Sequence, residues 1–192
     1  IKLIDELNNK GLIITPIIEH QDELIAFKKY KSEIGIRVNL NVKVKSHWDK
    51  KYNYFGLPED EVLKLPKIPN LGILSYHVSS QIEKLDGLTD PVRRIFLLYA
   101  KLRQKHPKLD TIDIGGGGAV PYVKKPIYTV KAAAQRIVKI CKQLSQKYDV
   151  KEPNIICEWG RYIAAPAQVT MFKVLSEKWV ENSGNRKWYI VD

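Results

Sequence analysis

The sequence predicts an α/β protein built on a parallel sheet, and three observations carry that expectation. Short β-branched apolar runs alternate with amphipathic helical stretches. The intervals between the runs are those of strand–helix–strand crossovers, which are right-handed and lay strands side by side in parallel. Near Arg161 the rhythm stops, and two β-rich segments follow with no helix between them. An open doubly wound sheet and a (β/α)8 barrel both accommodate this pattern, and periodicity does not separate them. Five strand–helix repeats are too few to close a barrel, so a barrel here would lack its opening strands.

The elements follow in order. LIITPIIE (Leu12–Glu19) is β-branched and reads as a strand, and QDELIAFKKYK reads as a helix with Leu24, Ile25 and Phe27 apolar. IGIRVNLNV (Ile34–Val42) alternates as a strand does. PEDEVLKL opens with proline and acids, a helix start. LGILSYHVSS (Leu71–Ser80) is the next strand. Thr89 and Asp90 before Pro91 predict a helix cap, with Val92, Ile95, Phe96, Tyr99 and Leu102 on one face. LDTIDIGGGG is strand and turn. A long helix runs from Thr129 to about Tyr148, with Ala133, Ala134, Ile137, Val138, Cys141 and Leu144 on one side. NIICEWGR (Asn154–Arg161) is the last strand of the series. VTMFKVLSEKW and RKWYIVD, separated by the turn-like ENSGN, read as the start of an antiparallel domain.

The composition is that of a globular protein: 192 residues, 44% hydrophobic and 28% charged. No run of about 18 apolar residues predicts a membrane span, and IKLIDELNNKG has neither a Met nor an apolar signal-peptide core. It reads as the middle of a gene, and the other end stops on a strand, so a fragment is expected. Cys141 and Cys157 form no CxxC or disulfide framework, which favours a reducing cytoplasm and two buried small hydrophobes. The net charge of +11 comes from lysines spread mainly over helix faces, without a basic cluster interleaved with aromatics, so a solvated surface is expected and no nucleic-acid partner, with an acidic partner as the alternative.

Four glycines in a row, Gly115 to Gly118, close the strand TIDI. Glycine permits φ > 0 and lets another group approach bare backbone N–H. A surface turn and an anion pocket both have those needs. In either parallel architecture functional groups gather at the carboxyl ends of strands. There the chain places Arg37, then His77 and Ser80, then Gly115 to Gly117, then Glu158, Gly160 and Arg161. Two cations, an imidazole, a hydroxyl, bare N–H groups and a carboxylate suit a phosphate together with a heteroaromatic ring bearing a basic nitrogen. Each has a plainer reading. A histidine at a strand end is more often structural, and Glu158 with Arg161 could form a surface ion pair worth about 0–1 kcal/mol. Gly160 beside them, at the end of an apolar strand, favours a site. His20, His47 and His106 have no partners at ligand spacing, and no metal site is expected.

IGIRV, HWDKKYNYFGL, YHVSSQI, DIGGGG and EWGR, in that order and spacing, resemble the pyridoxal-phosphate-dependent ornithine/arginine/diaminopimelate decarboxylases. Trp48, Phe55-Gly56-Leu57 and SQI after His77 look most like the biosynthetic arginine decarboxylases. The resemblance implies a partial TIM (β/α)8 barrel of about strands 4–8 over residues 1–166, and the start of a β-domain over 167–192. It implies pyridoxal 5'-phosphate as cofactor and a small basic amino acid as substrate. It also implies a role in polyamine or lysine biosynthesis and at least a homodimer. His77 then matches the histidine stacked on the cofactor ring. Ser80, Gly115 to Gly117 and Arg161 match its phosphate site, with Gly160 inside the E-x-G-R motif. Glu158 matches the carboxylate facing the pyridine nitrogen, and Arg37 an arginine near the ring. A carboxylate there raises the nitrogen's pKa, and the protonated ring is a strong electron sink.

The resemblance puts the Schiff-base lysine before Ile1 and the partner-subunit cysteine and aspartate after Asp192, so this chain alone is expected not to turn over. Ser79 stands where the family has glycine, and Trp159 where the arginine branch has serine and its relatives proline; each would narrow the pocket. AVPYVKKP lacks the acids common in the arginine branch. A racemase on the same barrel and a non-catalytic regulatory relative are the alternatives. Glu158 counts against the first, since the racemase branch places an arginine there.

Overall fold

A computed structural model describes residues 1–44, 54–122, 128–180 and 186–192. His47 and Trp48, residues 123–126 of AVPYVKKP, and the ENSGN turn lie outside them. The chain divides into two units, Ile1–Tyr162 and Ile163–Asp192.

The first unit is a mixed α/β arrangement around a six-stranded parallel sheet. Its strands are β1 (Ile17–Ile18), β2 (Ile34–Asn39), β3 (Leu57–Pro58), β4 (Leu71–Ser75), β5 (Thr111–Asp113) and β6 (Asn154–Ile156). The order is β1-β2-β4-β5-β6, with β3 paired to β2. It increases steadily along the chain, without the reversal of strand order that marks a doubly wound sheet. The inner strands are buried on both faces, as parallel strands covered by helices are: Ile36, Leu74 and Ile112 are fully enclosed. The helices are α1 (Lys2–Asn9), α2 (Gln21–Ala26), α3 (Glu59–Lys64), α4 (Leu85–Arg103) and α5 (Val130–Tyr148), and the short α6 (Gly160–Ala164) begins at the end of this unit. Ile95, Phe96 and Tyr99 of α4 join Ala133, Ile137 and Ile140 of α5 in the same core.

Several boundaries differ from the sequence expectation. The first strand shrinks to Ile17–Ile18 because Pro16 has no N–H to donate, and Leu12 and Ile13 stay in solvent. Helix α4 starts at Leu85 rather than at Thr89, and Pro91 lies inside it. Burial of Leu88, Thr89 and Val92 along one face outweighs the proline's broken hydrogen bond. Helix α5 has the expected Thr129 cap, whose hydroxyl accepts from Ala132 N–H at 3.1 Å, and ends on Asp149 in a left-handed conformation. Its buried stripe is narrower than expected: Ala134 and Val138 face water, while Ile140 is buried. The strand expected over Asn154–Arg161 stops at Ile156, and Cys157 just after it is exposed rather than buried. Helix α1 has no counterpart among the elements that the sequence predicts. His106 is fully buried and accepts from Ile68 N–H at 3.2 Å, a structural histidine. Among the described residues no helix is long and apolar enough to cross a membrane.

The second unit contains β7 (Val174–Val180) and β8 (Arg186–Val191), an antiparallel pair. Trp179, Trp188, Tyr189 and Ile190 on it are all exposed.

Phe55-Gly56-Leu57 owes its glycine to a close passage over β2. Gly56 has φ +80°, and a β-carbon there would come within 2.7 Å of the Arg37 carbonyl oxygen. Gly56→Ala is therefore expected to destabilise the first unit by about 1–3 kcal/mol in urea unfolding. An unchanged midpoint would show that the segment does not lie against β2.

Candidate functional site

The register of the parallel sheet lines up the site before any side chain is considered. Arg37 pairs with Ser75, Ser75 with Asp113, and Asp113 with Ile156, so four neighbouring strands present these residues at one level. Side chains repeat every second residue in extended chain. Two steps on lie His77, Gly115 and Glu158. Hydrogen bonds carry the ladder to that level: Tyr76 N–H to Asp113 O at 3.1 Å, Ile114 N–H to Ile156 O at 2.9 Å, and Glu158 N–H to Gly115 O at 2.9 Å.

Glycine is required where these ends converge. Gly115 has φ +61°, and a β-carbon would strike the Tyr76 carbonyl. At Gly116 a β-carbon would sit 3.0 Å from His77 Cε1 and 3.3 Å from the Glu158 carbonyl oxygen. The bare backbone of Gly116 thus lies between the imidazole and the Glu158 main chain. Its N–H donates to His77 Nδ1 at 3.2 Å, which fixes the ring's position. Gly117 has φ +113° and would collide with Ile82 Cδ1 at 2.8 Å and Ser79 O at 2.9 Å. The glycine run is therefore a packed junction and not a loose surface turn.

Asp113, to which the sequence assigns no role, is the buried polar centre of this junction. Its carboxylate accepts from Ser75 Oγ at 3.1 Å and from Gly115 N–H at 2.9 Å. Glu158 is exposed as a residue, yet its carboxyl is held near Asp113 and partly out of water. Burial pushes that carboxyl above the usual range, the Asp113 carboxylate pushes the same way, and the Arg37 guanidinium opposes both. Arg37 is itself held by an ion pair to Glu19, just past β1, and lies 4.7 Å from the Phe55 ring centroid.

The remaining candidates lie around this centre. Ser80 is half-buried on the loop after His77, one residue past the Ser79 carbonyl that faces Gly117. Gly160 and Arg161 open α6 and are exposed, with Gly160 N–H donating to Glu158 O at 2.8 Å. Among the described residues no ion pair joins Arg161 to Glu158, so the surface-pair reading of EWGR does not hold. The Trp159 ring packs on Gly118, where a β-carbon would lie 2.6 Å from Cε3, and edge-to-face on Tyr162. With Ala119, Tyr128 and Thr129 it borders a cavity of about 240 Å³. Among the described residues no cluster of acids, histidines and cysteines is placed to hold a metal.

A family profile described as the pyridoxal binding domain of pyridoxal-dependent decarboxylases matches residues 11–165. The chain belongs to that family. It is 29% identical over 159 residues to the biosynthetic arginine decarboxylase of Shewanella frigidimarina, covering 74% of this chain and 25% of the relative. It is 26% identical over 194 residues to the diaminopimelate decarboxylase of Methanocaldococcus jannaschii, covering 91% of this chain and 43% of the relative. Among solved structures, the biosynthetic arginine decarboxylase of Campylobacter jejuni superposes with a TM-score of 0.71 at 27% identity, over 94% of this chain and 33% of that one. The diaminopimelate decarboxylase of Helicobacter pylori, complexed with L-lysine, gives 0.71 at 26% identity, over 94% and 47%. The chain thus spans less than half the length of these relatives.

The electrostatic linkage of Glu158 to Asp113 has a direct test. Asp113→Asn keeps an acceptor for Gly115 N–H and removes the negative charge. The Glu158 carboxyl is expected to titrate at lower pH in the variant, followed by ¹³C NMR of the side-chain carboxyl. No downward movement would show that the two acids do not interact.

Proposed function

We propose that this chain is the cofactor-binding part of a pyridoxal-phosphate-dependent decarboxylase acting on a basic amino acid, with arginine favoured over diaminopimelate and ornithine. One observation carries the reading: an imidazole, a bare glycine backbone and a raised carboxyl stand side by side at the ends of three adjacent parallel strands. The pyridoxal group fits that mouth. Gly116 is a cradle that any β-carbon would fill against His77. The donor set also fits a phosphate, although not with every glycine as donor. Gly115 gives its N–H to Asp113 and Gly116 to His77, whereas Gly117 and Gly118 N–H have no acceptor among the described residues. Gly115 and Gly116 then shape the turn, and Gly117 and Gly118, with Ser80 and Arg161, supply the anion donors.

When bound, pyridoxal phosphate supplies an electron-withdrawing ring that accepts the electron pair released as CO2 departs. The chain's residues do the rest. His77, anchored through Nδ1, offers a flat apolar face to stack on a ring. Glu158 would face a basic ring nitrogen, and its raised affinity for protons suits sharing one with that nitrogen. Arg37 sets the charge beside it while tied back by Glu19. Glu158 also argues against a racemase, and the relatives named above are decarboxylases.

The same reading extends to the architecture and setting. The steady strand order β1-β2-β4-β5-β6 supports an arc of a (β/α)8 barrel, about strands 4–8, over residues 1–166, with a β-domain beginning at 167. The chain by itself holds cofactor without turning substrate over. The whole enzyme is a cytoplasmic homodimer or larger, serving polyamine or lysine synthesis. In that enzyme Glu158→Ala is expected to lower the decarboxylation rate by about 10²–10⁴-fold while cofactor is retained, read from turnover and from bound-cofactor absorbance. Unchanged turnover would refute the role of Glu158, and loss of cofactor with it would refute the separation of ring and phosphate sites.

A further inference from the structure

The phosphate groups proposed above come from two loops. Residues 79–82 after β4 carry Ser80, and residues 115–120 after β5 carry the glycines. At the seam between them is Gln81, whose backbone is left-handed at φ 53°. The other described non-glycine residue with positive φ is Asp149, the cap of α5. A side chain in that conformation is unfavourable unless something holds it there.

The Gln81 carboxamide is what the seam uses. Val120 N–H donates to Oε1 at 3.0 Å, and Nε2 donates to Val120 O at 2.5 Å. A primary amide carries one donor and one acceptor edge, so it can satisfy both main-chain groups of one residue, as a neighbouring strand would. The bonds beside it continue the pairing. Ile82 N–H donates to Gly117 O at 2.9 Å, and Ile82 forms a parallel bridge with Gly118. The Tyr128 hydroxyl donates to Ile82 O at 2.6 Å and accepts from Ala119 N–H at 3.2 Å. These contacts consume polar groups of Ile82, Ala119 and Val120, all buried, and leave the N–H groups of Gly117 and Gly118 without an acceptor among the described residues.

We infer that Gln81 is a positioning residue for the cofactor's phosphate: its side chain, spliced onto Val120, fixes Ser80 against the glycine loop so that both can hold one phosphate. Glycine would occupy φ 53° without penalty but would leave Val120 unmatched. Asparagine tolerates the same φ but is one methylene too short to reach. The inference rests on the reading of this junction as a phosphate cradle.

The test measures equilibrium binding of pyridoxal phosphate and of phosphate-free pyridoxal to the 192-residue chain, wild type, Gln81→Gly and Gln81→Asn. Absorbance gives the affinities, and thermal unfolding confirms that each variant is folded. Both substitutions accept the backbone conformation, so neither is burdened by strain. The wild type is expected to prefer pyridoxal phosphate. Each variant is expected to bind it about tenfold more weakly, in keeping with loss of two hydrogen bonds, while pyridoxal binding is unchanged. Undiminished pyridoxal phosphate affinity in either folded variant, or equal weakening of both ligands, would overturn the role of Gln81 and leave the cradle standing. A wild-type chain with no preference for the phosphorylated form would overturn the cradle itself.

Discussion

The close apposition of the Gly116 main chain to the His77 ring on one side and to the Glu158 main chain on the other governs the architecture of the site. A single added carbon at Gly116 would lie 3.0 Å from His77 Cε1. Three strand ends can therefore meet only if the chain between them has no side chain. The same junction orients the imidazole through the Gly116 N–H, turns the chain at Gly115, and delivers Glu158 by way of its N–H bond to Gly115 O. Everything proposed about the ring and its phosphate follows from that convergence.

Charge is layered behind this junction. Asp113 is buried and hydrogen-bonded to Ser75 and Gly115, so it serves structure and field together. Its negative charge and the sheltering of Glu158 favour a proton on Glu158, while Arg37 moderates that preference. Glu19 and Phe55 in turn restrain Arg37. In the proposed site, a carboxyl with raised proton affinity suits sharing a proton with a basic ring nitrogen. That is an electrostatic setting prepared by the fold before any ligand arrives.

How much of this was legible in the sequence depended on the range of the interactions. The parallel strands at Ile34–Asn39 and Leu71–Ser75 were readable from local apolar pattern, and His77, Gly115–Gly117 and Glu158 from their places at strand ends. The start of α4 was not, because burial of Leu88 and Thr89 against distant residues outweighed the local signal of Pro91. Asp113 stood within the DIGGGG motif, and a charged residue in an apolar strand was the available clue. Its role depends on Ser75, on a neighbouring strand, and on Glu158, just past the end of another. Which glycine N–H groups remain for an anion was hidden for the same reason. The left-handed backbone of Gln81 had no sequence signal, since glutamine is an ordinary loop residue, and its partner Val120 is 39 residues away.

The claim that one mouth surrounds one ligand is tested most directly by mapping amide chemical shifts of the ¹⁵N-labelled chain during titration with pyridoxal phosphate. The account requires the amides of His77, Ser80, Gly115–Gly118 and Glu158 to shift together along a single saturating curve. Shifts confined to the lysine-bearing faces of α4 and α5, or separate curves for His77 and the glycines, would contradict it.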